Sequence, residues 1–118
     1  MAYNEAAAER VRAAVAQHEG ISERRMFGGL CFMVNGNMFA GVMGNDLMLR
    51  VGAGRFDEAL SQPHARPMDF AKRPMVGMVY VAPPGYETDS QLSEWLGVAL
   101  AFALAMPSKQ PGEKRKRR

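Results

Sequence analysis

A chain of 118 residues, 47% hydrophobic and 23% charged, fits one globular domain that buries its core without disulfides or a structural metal. Its single cysteine, Cys31, excludes an internal disulfide framework and fits a reducing compartment, and its longest apolar run, the nine residues from Val98 to Met106, is too short to span a bilayer. The net charge of +3 hides an asymmetry: residues 1–108 carry 9 basic and 11 acidic groups, while six basic side chains against Glu113 make the last ten residues +5, so the high pI is no evidence that the body binds nucleic acid.

The chain opens MAYNEAAAERVRAAV, where Glu5 and Glu9 interrupt any apolar core of a signal peptide, so a cytoplasmic protein is expected. Asn4 is placed to cap a helix running to about His18, with Val11, Ala14 and Val15 on its apolar stripe and Gly20 as its stop. Polar residues 22–25 then lead, through a short strand ending near Phe27, into an antiparallel meander. Asn35-Gly36 between two apolar runs marks a two-residue hairpin, because both residues tolerate positive φ. That turn sets Val34 opposite Asn37, Met33 opposite Met38 and Phe32 opposite Phe39. A three-residue loop at Gly44-Asn45-Asp46 then sets Met43 opposite Leu47 and Gly41 opposite Leu49. One face collects Leu30, Phe32, Val34, Phe39, Met43, Leu47, Leu49 and Val51. The other collects Cys31, Met33, Met38, Ala40, Val42, Met48 and Arg50. A two-residue second loop would invert the last strand and expose its leucines, so the longer loop is expected.

Beyond the break at Gly52-Ala53-Gly54, Arg55 to Ser61 reads as a short helix burying Phe56 and Leu60. Pro63, Pro67 and Pro74 exclude a long element, leaving Met68-Asp69-Phe70 as a short edge strand or extended loop. Met75 to Val81 is a strand with Met75, Gly77, Val79 and Val81 on one side, ended by Pro83-Pro84-Gly85. Thr88 and Gln91 have capping-box spacing for a last helix to about Met106, whose second half is apolar on every side. The result is an α+β domain over residues 1–107, an antiparallel sheet with helices mainly on one side in the order α-β-β-β-α-β-α. Residues 108–118 hold no apolar group to bury and are expected to be disordered.

Reactive groups are scarce. Met26-Phe27-Gly28-Gly29 suggests a phosphate loop, but a strand follows where such a loop needs a helix N-terminus, so a tight turn or bulge is expected. His18 and His64 lack ligand partners at i+3 or i+4, and one cysteine cannot complete a zinc site. Cys31 sits among apolar neighbours, which raise a thiol pKa and make it inert. Met33, Met38, Met43 and Met48 are evenly spaced in a way that invites soft-metal ligation, yet the register puts Met43 on the face opposite the others. Asp46, Asp57, Asp69, Glu87 and Asp89 all sit at turns or helix starts. No catalytic residue, cofactor site or metal site is expected.

The sequence resembles the N-terminal domain of the TfoX/Sxy competence-regulator family over about residues 3–106. The resemblance is carried by Arg25-Met26-Phe27-Gly28-Gly29, Phe32, Asn35-Gly36-x-Met38-Phe39 and Leu47-x-Leu49-Arg50-Val51. It extends through His64-x-Arg66-Pro67-Met68-x-Phe70, Met75-x-Gly77-x-Val79-Tyr80-Val81 and a final helix with Trp95. It implies a fold similar to type III secretion chaperones, and a regulator that acts with a transcription activator. Longer members carry a second helical domain where this chain has a basic tail. The expected role is a non-enzymatic module that binds protein, a partner or a second copy of itself. Arg24, Arg25, Met26, Phe27, Gly28, Gly29, Met33, Met38, Met48 and Arg50 are the candidate contacts. The alternative is an accessory nucleic-acid-binding protein using Lys109, Lys114, Arg115, Lys116, Arg117 and Arg118. Such a tail neutralises about three to five phosphates, without sequence preference.

Overall fold

The computed structural model describes residues 3–26, 28–70 and 73–107, with only the backbone of residues 69, 70, 73 and 74. Asn4 caps α1 (Glu5–Ala14), its side chain accepting from the Ala7 N–H at 3.0 Å. The helix ends four residues before His18, in turns that leave Val15 buried. Six strands follow: β1 (Ile21–Met26), β2 (Gly29–Val34), β3 (Asn37–Met43), β4 (Asp46–Arg50), β5 (Ala65–Phe70) and β6 (Arg73–Val81). A 3₁₀ turn at Ala53–Arg55 runs into α2 (Phe56–Leu60), and a second at Pro83–Tyr86 precedes α3 (Asp89–Leu104). The sheet is antiparallel throughout in the order β1-β2-β3-β4-β6-β5. The α+β architecture and the expected order of elements hold, with β1 and β5 as full strands at the two edges.

The meander departs from its expected register twice, within β3 and at the second turn, and the two departures cancel. Asn35 and Gly36 have φ of 53° and 84°, as the hairpin signal requires. Val34 pairs with Asn37 and Met33 with Met38, but Phe32 faces Ala40 rather than Phe39. Phe39 is an extra residue, a β-bulge, which moves Ala40 and Val42 to the helix side and Met43 to the other. The second loop has two residues, not three: Met43 pairs with Asp46 and Gly41 with Met48. Gly44 takes φ of 61° at the first loop position, the glycine requirement of a type II′ turn. One inversion from the bulge and one from the shorter loop return Leu47 and Leu49 to the core. The loop is held from two directions: the Asn4 N–H donates to the Gly44 carbonyl at 2.7 Å, and the Tyr86 hydroxyl donates to the Asn45 carbonyl.

The expected pattern of β6 also breaks. Between the pairs Pro67–Val79 and Asp69–Pro74, β6 holds more residues than β5, and Gly77 takes φ of 92°. Val79 and Val81 stay on the helix side, while Met75 and Met78 join the opposite one. Gly77 is required by close approach as well as by φ, because a Cβ there would lie 3.1–3.2 Å from the backbone of Gly52 and Ala53.

All three helices pack on one face. Ala7, Ala8 and Val11 from α1, Ala59 from α2, and Leu92, Leu96, Ala99, Leu100 and Ala103 from α3 close over Phe32, Val34, Phe39, Leu47, Leu49 and Val79. The Thr88–Gln91 capping box forms in both directions. Among the described residues no helix is long and apolar enough to cross a membrane.

Candidate interaction surface

The pleat sends alternate side chains of every strand to the face opposite the three helices. There the structure assembles a second apolar cluster: Cys31, Met33, Met48, Met68 and Met78 are buried, with Met26, Met38, Met43, Met75 and Tyr80 partly buried around them. Eight of the ten methionines are in this cluster, and every member comes from a strand. Two glycines make room for it. A Cβ at Gly29 would lie 2.3 Å from the Val42 carbonyl oxygen and 2.5 Å from the Met43 sulfur; one at Gly41 would lie 2.9 Å from both the Leu30 carbonyl oxygen and the Met48 terminal methyl. Cys31 is fully buried, and burial pushes its thiol up to about 11, so it is an inert apolar filler at neutral pH.

The expected contact residues divide across this geometry. Arg24 and Arg25 are both exposed, but the pleat places Arg24 opposite Cys31 on the methionine side and Arg25 opposite Leu30 on the helix side. Their side chains leave β1 on opposite sides of the sheet. Met26 and Met38 are half-buried at the rim, whereas Met33 and Met48 are buried beneath it. Phe27 lies outside the described residues. Gly28 has φ of 77° in the loop that joins Met26 to its partner Gly29, which is the tight turn expected of the glycine pair. Arg50 is half-buried, with its guanidinium carbon 5.4 Å from the centre of the Phe102 ring and an N–H donated to the Met38 carbonyl at 3.4 Å. It ties the end of β4 to α3. The tail residues Lys109, Lys114, Arg115, Lys116, Arg117 and Arg118 lie outside the described residues.

Features without a signal in the sequence reading appear elsewhere. Asn37 is buried, its amide donating to the Pro107 carbonyl at 2.9 Å, and its Oδ1 accepts no hydrogen bond among the described residues. An open groove of about 410 Å³ lies between α2 and α3, lined by Arg55, Glu58, Ala59, Gln62, Glu94, Trp95 and Val98. Those residues come from two stretches far apart along the chain, joined only because α2 and α3 lie on the same side of the sheet. His18 and His64 are exposed. Among the described residues no three His, Cys, Asp or Glu side chains come together as a metal site. At the other edge, Arg66 pairs with Asp46 at 2.7 Å and covers the Tyr80 ring at 4.8 Å. On the helix side, a hydrogen bond to Glu23 at 2.6 Å holds the Arg12 guanidinium pKa above its ordinary value, despite partial burial.

No curated protein matches the chain. A family model described as the TfoX N-terminal domain matches residues 13–103, which takes in the end of α1, the whole sheet, α2 and nearly all of α3. That match spans the hairpin glycines, the bulged meander and the methionine-bearing strands together, and the chain belongs to the TfoX N-terminal domain family.

Proposed function

We propose that this domain acts by binding protein through the methionine side of its sheet, as a non-enzymatic module. Its family is of the regulatory type and competence-related, and is not known for enzymatic members. The observation that carries the reading is the unequal covering of the sheet. Three helices complete one face, while the other carries eight methionines and, among the described residues, no helix. Unbranched thioether side chains re-pack against surfaces of different shape, which suits a contact face better than branched ones. Met26, Met38, Met43 and Met75 form the accessible rim, with Arg24 beside them to set orientation. The buried Met33 and Met48 support that rim. A second copy of the chain or a different protein would fit this surface.

The test uses the full chain with Met26→Glu and Met38→Glu, both at half-buried positions. Sedimentation reads self-association, and capture from the native host reads other partners. Loss of a complex in both variants, with an unchanged thermal midpoint, supports the reading. A strictly monomeric chain that captures the same proteins with and without the substitutions ends it.

The second reading rests on the charge of the last ten residues, +5 against a body with two more acidic than basic groups. A tail of this kind would bind DNA or RNA weakly, with log K falling against log salt at a slope of about −3 to −4. Its sequence interleaves no aromatic side chain to stack on bases. Cutting the chain after Ser108 should abolish such binding. Equal retention of both forms on nucleic acid would remove the tail from the function.

A further inference from the structure

The groove between α2 and α3 has the composition of a cation site, and we infer that it binds a small organic cation carrying a single positive charge on an apolar body. Its volume, about 410 Å³, lies within the range of small-ligand sites. Ala59 is buried and Trp95 and Val98 are half-buried, so the apolar part of the lining presents an aromatic ring beside two aliphatic groups. Trp95 is the only tryptophan in the chain, and indole is the aromatic group that attracts a cation most strongly. The polar part of the lining is Arg55, Glu58, Gln62 and Glu94. Arg55 and Glu58 pair loosely at 3.9 Å, with 60% and 71% of their side chains exposed. Their charges offset each other. Glu94 has no ion pair among the described residues and lines the same groove as Trp95. The lining therefore sums to one negative charge in a groove that an indole also lines, which favours a cation over an anion or a neutral ligand of the same shape.

This site is separate from the methionine face, because its residues pack with the helix-side core. The inference therefore stands or falls independently of the protein-binding reading.

Trp95 also supplies the measurement, since its fluorescence reports this groove alone. The full chain is titrated with choline and with its uncharged carbon isostere, 3,3-dimethylbutan-1-ol, at constant ionic strength. Choline should give a saturable change in the millimolar range, at least 5-fold tighter than the alcohol. Glu94→Gln should weaken choline at least 5-fold, while Glu19→Gln, an exposed carboxylate outside the groove, should leave it unchanged. Arg55→Gln should tighten choline at least 2-fold, an increase that damage to the fold would not produce. Equal affinity for choline and the alcohol, a Glu94→Gln chain that binds choline as the parent does, or no saturable change overturns the inference.

Discussion

On one side of the sheet, phenylalanine, leucine, valine and alanine meet three helices; on the other, methionine, cysteine and tyrosine meet one another, all from strands. Both sides bury side chains completely: Phe39 and Leu49 on the first, Cys31 and Met48 on the second, each at 0% exposure. The difference is in shape. Branched and aromatic side chains have few rotamers and demand a complementary surface, which the helices supply with Ala8, Ala99 and Ala103 at close approach. Methionine has three rotatable bonds and fills irregular space without a fixed partner. Burial alone therefore does not distinguish a finished core from a face able to accept another protein.

Four substitutions test that contrast, from the largest expected effect to the smallest. Phe39→Ala empties the centre of the helix-side core and should cost about 3–5 kcal/mol in urea unfolding. A loss below 1 kcal/mol would mean that the bulged Phe39 is not part of a rigid core. Gly29→Ala forces a methyl group against the Val42 carbonyl oxygen and the Met43 sulfur, and should cost about 1–3 kcal/mol. If it is neutral, the methionine side has slack that the geometry denies.

Cys31 gives a pH signature. Its folded-state pKa is raised from 9.0 to about 11, so the buried neutral thiol favours the folded state fully below pH 9. That contribution is lost as pH rises from 9 to 11. The parent should lose stability faster than Cys31→Ala across that window, and identical slopes would place the thiol in water. Below pH 9 the raised pKa makes native thiolate scarcer than in the unfolded chain, so alkylation should follow unfolding. The smallest effect belongs to Met48→Leu, a volume-conserving change on the adaptable side, expected below about 1.5 kcal/mol. A larger loss would show that the methionine side is as shape-specific as the helix side.

The sequence announced some elements through local chemistry. The Asn35-Gly36 turn, the Asn4 cap and the Thr88–Gln91 box formed as their residue types required, because each depends only on atoms within a few positions. The bulge at Phe39 has no such local signature. Its effect on side-chain direction is undone by the two-residue loop at Gly44-Asn45, so Leu47 and Leu49 face inward with or without this pair of features. The opposite placement of Arg24 and Arg25 was legible from strand alternation once β1 was a full strand. The groove at Trp95 was not legible, because it joins residues of α2 and α3 more than thirty positions apart.

By itself the sequence determined that this chain alternates, turns and caps into an antiparallel sheet with helices, since those instructions are written in spacing and in residues of restricted φ. Tertiary structure alone decided how the second cluster is assembled, where Met43, Ala40 and Val42 point, and which helices enclose the groove. A strand's pattern states that both its faces are apolar; what comes to lie against each face depends on long-range packing, which no local preference encodes.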